Sequence, residues 1–275
     1  MITFTPITEL FKIGSFSVQA WGSFVAFGAA LAIILILIEA KRRKITEETE
    51  KLLLFITIFS IIGARIAYIL LNPDEFSSLL SYLNIFNGGL IGWGVLMGGI
   101  LGIFAFKFTS RINPSKLLSL LDLMMPYFAL AFAIGRIGCF VRGCCFGIPT
   151  DLAWGILYTG KSLAYQAGFA TAVHPTQLYH SIADFIIFLI LLKLSRKRHN
   201  IEKNKLKSKY PFFNISGNIF LLFIALYSAE RFFIDFFRYH PANEYVLGIT
   251  ITQIVYLVLF IAGLLLTKRR EEKQG

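Results

Sequence analysis

Apolar residues run along this chain in seven long blocks: Phe16–Ile38, Leu52–Leu71, Leu90–Phe106, Leu117–Ile137, Gln177–Leu194, Phe212–Phe233 and Leu247–Thr267. Crossing a hydrocarbon layer of ~30 Å takes ~20 helical residues, so each block predicts a transmembrane helix. The pattern predicts an all-α integral membrane protein with seven transmembrane helices, forming a single membrane domain over residues 1–275. One connection, residues 140–176, is polar, glycine-rich and long enough for a small extracytoplasmic subdomain. Within it Trp154-Gly155-Ile156-Leu157-Tyr158 alternates enough to predict a short strand.

Composition agrees. Hydrophobic residues make up 56% of the chain, with 28 phenylalanines, and mean hydropathy is +0.67, far above a soluble domain. A net charge of +11 would suggest nucleic acid, but its distribution excludes that reading. The basic residues concentrate in alternate connections: Lys41–Lys44 with Lys51, Lys107 to Lys116, Lys193 to Lys209, and Lys268 to Lys273. The positive-inside rule makes that side cytoplasmic, which predicts an outside amino terminus and a cytoplasmic carboxyl terminus. Met1–Lys12 lacks the basic n-region and short apolar run of a cleavable signal, so the first helix is expected to stay.

The densest chemistry lies in Gly135-Arg136-Ile137-Gly138-Cys139-Phe140-Val141-Arg142-Gly143-Cys144-Cys145-Phe146-Gly147, which holds every cysteine of the chain. A guanidinium near a membrane helix end needs protein, water or lipid phosphate to face, since a central one costs roughly 3 kcal/mol. The glycines predict a helix ending at Arg136 and opening into a tight, ligand-facing loop. The alternative is an interfacial arginine reaching head groups beside a flexible turn.

Near the end of the sixth block, Tyr227 and Arg231 are four apart and share a helix face. Arg136 and Arg231 therefore close two helices on the same outer side, where their forks match phosphate oxygens. A lipid-phosphate site and a structural pair holding Glu230 or Asp235 both fit. Arg65 is expected to point into the bundle, and Asp122 to pair with it or to sit near the cytoplasmic interface. Gly94, Gly98 and Gly102 mark a face for close helix packing. The Arg196–Lys209 run reads as a solvated cytoplasmic loop.

Cys139, Cys144 and Cys145 allow several readings: one disulfide with a free thiol, a weakly spaced zinc site with His174, a catalytic thiol near Arg136, or buried fillers. His180 and His240 are acid/base candidates on the outer side.

With these residues in view, the chain resembles the prolipoprotein diacylglyceryl transferase family, bacterial inner-membrane enzymes of seven helices. The resemblance rests on Gly63-Ala64-Arg65 with Tyr68, Gly88-Gly89-Leu90, the signature Gly135-Arg136-Ile137-Gly138 followed by Phe140, Gly143 and Gly147, His174-Pro175-Thr176-Gln177-Leu178-Tyr179, and Tyr227, Arg231 and Phe236-Phe237-Arg238. It implies transfer of diacylglyceryl from phosphatidylglycerol to the lipobox cysteine thiol of a preprolipoprotein signal peptide, in the bilayer and with no cofactor or metal. It implies catalytic roles for Arg136, Arg231 and Tyr227. Gly138, Gly147, Arg65 and Gln177 are expected to bind phospholipid with the two arginines.

Against the family pattern, an asparagine and a glutamate of the signature are here Cys139 and Cys144. The third-helix histidine falls on Trp93 and a first-helix tyrosine on Trp21. An indole donates a hydrogen bond but takes no proton, so the base for the substrate thiol has no owner. Two competing readings are a membrane thiol oxidoreductase using the three cysteines and a non-catalytic phospholipid-binding paralogue.

Overall fold

The computed structural model describes residues 2–14, 16–75, 92–160, 162–204, 208–241, 244–246 and 248–272. Among them are seven long helices: α1 (Ala20–Arg43), α2 (Thr46–Leu71), α3 (Gly92–Ser110), α4 (Pro114–Arg142), α5 (Thr176–Lys203), α6 (Asn218–Asp235) and α7 (Ile251–Glu272). Six of these, all but α6, are long and apolar enough to cross a membrane. The exception carries three charges, Glu230, Arg231 and Asp235, within 18 residues. In α4, 61% of the most apolar window is buried, against 11–28% in the other five, so it is the helix most enclosed by protein.

The chain forms two compact units, Met1–Ile13 with Ser17–Ile36 and Leu121–Gly275, and Gly14–Phe16 with Leu37–Leu120. In the smaller unit the glycine stripe does what its spacing predicts. A Cβ on Gly102 would lie 2.7 Å from the Phe55 carbonyl oxygen, and one on Gly94 would lie 2.7 Å from Ala64 Cα, so α2 and α3 touch backbone to backbone. Trp93 is half exposed, and Gly88, Gly89 and Leu90 lie outside the described residues.

Three short strands precede α1, the last of them where the apolar pattern had placed the first helical turn: β1 (Ile2–Phe4), β2 (Glu9–Ile13) and β3 (Phe16–Gln19). The predicted strand forms as β4 (Ile156–Tyr158) and pairs in parallel with β1, Ile2 opposite Ile156 and Phe4 opposite Tyr158. Beneath them Phe146, Ile156, Tyr158, Ala164 and Val173 make a buried cluster, flanked by Phe4, Phe140, Phe169 and Tyr239. This aromatic packing fixes the loop that follows Arg142.

Helix α4 does not stop at Arg136 but continues to Arg142. Gly138 stays helical because it makes room: a Cβ there would meet Phe24 Cβ at 2.7 Å and the Trp21 carbonyl at 3.2 Å, so α1 packs directly on it. The chain turns at Gly143, whose φ of +71° favours glycine.

The opposite end of α4 carries a second correction. Arg198 is not in a solvated loop; α5 runs to Lys203, and Arg198 is buried against Asp122. Asp122 also accepts from Gly217 N at 2.5 Å and Phe220 N at 2.8 Å, capping the start of α6. Two of the four orphan donors at that helix start are thereby satisfied by one carboxylate.

Candidate active site

Arg136 sits two turns before the end of α4, half-buried, and no hydrogen bond or salt bridge engages it among the described residues. It lies close enough to Asp184, Tyr227, Glu230 and Tyr256 to interact with them electrostatically. A guanidinium held among apolar helices without a direct partner among the described residues attracts an arriving oxyanion strongly, because water to screen the charge is scarce.

Arg231 is oriented by its own helix. Its Nη2 donates to the Tyr227 hydroxyl at 2.7 Å, and its guanidinium carbon lies 4.7 Å from the Tyr227 ring centroid. Tyr227 in turn packs against Phe132, 5.3 Å between centroids with the rings tilted by 40°, which ties the pair to α4. The acid beside Arg231 is only loosely engaged. Nε lies 3.4 Å from Glu230 Oε2 without forming a hydrogen bond, and Nη1 has no hydrogen-bond partner among the described residues.

Glu230 spends its other oxygen on α5. Its Oε1 contacts His180 Nδ1 in a direct hydrogen bond, both side chains being buried. With Glu230 ionised and the imidazole neutral, the proton sits on Nδ1 and Nε2 is a lone-pair acceptor. That Nε2 is buried and has no hydrogen-bond partner among the described residues, as is true of both carboxylate oxygens of Asp184 one turn further along α5. A histidine oriented by a carboxylate with its second nitrogen free is the arrangement of a general base.

The loop after α4 is clamped from below by the start of α5. Thr176 Oγ1 donates to the Cys145 carbonyl at 2.7 Å, and Gln177 Nε2 donates to the Cys144 carbonyl at 2.6 Å and the Tyr158 hydroxyl at 3.1 Å. Gln177 is fully buried, and its amide nitrogen is therefore occupied in shaping the loop. Gly147 is close-packed too: a Cβ would lie 2.6 Å from His174 Cβ and 2.8 Å from the His174 carbonyl. Burial pushes the Tyr158 hydroxyl up from its ordinary value, which keeps it protonated in this position.

The structure thus brings Arg231 and Tyr227 into contact, sets Arg136 within electrostatic reach of Tyr227, and packs Gly138, Gly147 and Gln177 into the scaffold. Arg65 is buried in the smaller unit, its guanidinium 5.8 Å from the Tyr68 ring centroid. His240 is held at both nitrogens, by Asp235 at 2.9 Å and Glu244 at 2.7 Å, which makes it a fastener. His174 faces the Tyr179 hydroxyl at 3.1 Å. The residues that sequence reasoning did not place in the site are Glu230 and Asp184. The available signal was helical spacing: Asp184 follows His180 by four, and Glu230 adjoins Arg231. A separate groove of about 580 Å3, lined by Lys193, Arg196 and Lys197, lies at the far end of α5 from His180.

Comparison with known proteins gives the family of the chain. Residues 8–268 match the model of the family described as prolipoprotein diacylglyceryl transferase. A phosphatidylglycerol–prolipoprotein diacylglyceryl transferase of Clostridioides difficile (strain 630) is 34% identical over 258 residues, covering 93% of this chain and 92% of the relative. One of Clostridium perfringens, bearing that name with the number 2, is 31% identical with the same coverage. One of Clostridium tetani is 29% identical over 93% of this chain and 94% of its own length. The chain belongs to the prolipoprotein diacylglyceryl transferase family.

Proposed function

We propose that this protein transfers the diacylglyceryl group of phosphatidylglycerol to the lipobox cysteine thiol of preprolipoprotein signal peptides. The observation that carries the reading is Arg136, a half-buried guanidinium with no ion pair among the described residues, electrostatically linked to the Tyr227 that also orients Arg231. The two arginines hold the lipid phosphate. The cysteine sulfur attacks the glycerol carbon, the carbon–sulfur bond forms as the carbon–oxygen bond to phosphate breaks, and glycerol phosphate leaves with the electron pair. Fixed guanidinium groups stabilise that leaving charge without reorganising. His180 Nε2, oriented through Nδ1 by Glu230, accepts the thiol proton and replaces the base that Trp93 cannot supply.

In this reading α6 crosses the membrane as a seventh span. Arg136, His180 and Arg231 lie in the outer leaflet of a bacterial inner membrane, with the amino terminus outside and the carboxyl terminus in the cytoplasm. Residues 140–176 form the extracytoplasmic subdomain of a single membrane domain, where the aromatic cluster under β4 supports the lipid-facing loop. Gly138, Gly147 and Gln177 shape the wall of the lipid site. Arg65, a buried cation of α2, is the remaining phospholipid-binding candidate. Complementation tests the reading: the wild type restores growth of a bacterium depleted of its own transferase and Arg136→Ala does not. Failure of well-expressed wild type would remove the assignment.

A further inference from the structure

Three thiols meet where α4 ends. The sulfurs of Cys139, Cys144 and Cys145 all lie within 4.8 Å of one another, and all three are free. Neighbouring side chains in extended backbone point to opposite sides. Cys145 instead has a φ of +60°, a left-handed conformation that is strained for a non-glycine residue. Donors from Thr176 and Gln177 hold the carbonyls of Cys145 and Cys144, and Cys144 N donates to the Cys139 carbonyl at 3.1 Å. Strain of this kind persists only where the surroundings impose it. Its result here is that a third sulfur joins two others. A disulfide needs two sulfurs; a metal ion uses the third.

We propose that Cys139, Cys144 and Cys145 form a tris-thiolate site for a soft d10 cation of the zinc or copper(I) class, with a fourth position open to a substrate thiol. Sulfurs sharing one tetrahedral zinc at ~2.3 Å stand ~3.8 Å apart, so closing the site draws these together by about 1 Å at most. Thiolate is the ligand that soft cations select. Three thiolates on a dication carry one net negative charge, and Arg136 and Arg238 both lie within electrostatic range of Cys145 to offset it. Cys139 is buried while Cys144 and Cys145 are partly exposed, which leaves the open position on their side. Three protein ligands and one vacancy is the pattern of reactive zinc, and a coordinated thiol is deprotonated outright. The fourth-ligand role rests on the transfer reading: the substrate sulfur binds the metal as its proton passes to His180.

The test uses full-length protein in detergent with its thiols reduced, titrated with cobalt(II), zinc(II) and copper(I). One equivalent of cobalt is expected to give sulfur-to-metal charge-transfer absorption and the intense visible bands of a tetrahedral site, lost on adding zinc. Zinc is expected to shield all three thiols of the unmutated protein from alkylation. Cys139→Ser, Cys144→Ser and Cys145→Ser should each weaken binding by about tenfold or more. Folded protein with three titratable thiols that takes up none of these ions, or whose alkylation zinc does not change, overturns the site. These readouts need neither lipid nor peptide, so they stand if the transfer reading fails. A lipobox peptide should shift the cobalt spectrum while its serine analogue should not. No shift, or full transfer by metal-free protein, overturns the role in catalysis and leaves the transfer reading intact.

Discussion

Tyr227 holds Arg231 in two ways at once: its hydroxyl accepts from Nη2 at 2.7 Å, and its ring lies under the guanidinium at 4.7 Å. The two contacts separate by substitution. Tyr227→Phe keeps the ring and loses the acceptor, a hydrogen bond to a charged group worth about 1.5–3 kcal/mol. The transfer rate should fall about tenfold to a hundredfold, and Tyr227→Ala should fall further. Initial rates of glycerol phosphate release measure both.

Arg136 makes no direct bond among the described residues, so its removal should cost function without costing stability. Arg136→Ala is expected to melt at or above the wild-type temperature while the rate falls by about 10²–10³. Arg136→Lys restores the charge but not the two-pronged fork, and should recover only part of the rate. Thermal unfolding and initial rates on the same preparations check this.

His180→Gln removes the free Nε2 acceptor and keeps a side chain of similar reach. The turnover rate should drop by about 10²–10⁴, the usual span for a general base, with little change in KM for phosphatidylglycerol. A parallel fall in lipid binding would instead mark the His180–Glu230 pair as support for Arg231.

Much of this fold was legible because apolar run length and charge alternation are local properties. The early strands were not, since β1 is stabilised by a partner more than 150 residues away. The end of α4 was misplaced because Gly135 and Gly138 look like breakers until Phe24 is seen packed on Gly138. Arg136, Tyr227 and Arg231 could be chosen from charge and helical spacing. His180 was visible as a candidate, but its orientation depends on Glu230, fifty residues on. The cysteines are neighbours in the chain, yet their convergence goes with a turn in which Gly143 and Cys145 are both left-handed.

Asp122 tests the structural side. Asp122→Ala would take from Arg198 its one buried carboxylate partner, leaving it the half-exposed Glu202 and Ser216, and would uncap α6. Breaking a buried pair from one side costs about 3–5 kcal/mol. The folded fraction should fall sharply in denaturant titration, while the rate per folded molecule stays near wild type.

His174 gives a pH dependence whose sign is fixed. Burial holds its pKa below the ordinary histidine value of 6.5, so the unfolded chain takes up the proton first as the medium acidifies. The stability it contributes is complete above that ordinary value and is lost as pH falls toward the folded value. Unfolding at about pH 7.5 and pH 5.5 should show an acid loss that His174→Gln reduces.

The central claim is that two arginines on separate helices grip a lipid phosphate while a cysteine sulfur takes the diacylglyceryl group. The most direct measurement supplies purified protein with phosphatidylglycerol and a lipobox peptide, and follows the peptide by mass spectrometry. The wild type should yield a diacylglyceryl thioether with matching glycerol phosphate, and Arg136→Ala neither. Folded wild-type protein that binds phosphatidylglycerol but leaves the peptide unmodified would contradict it.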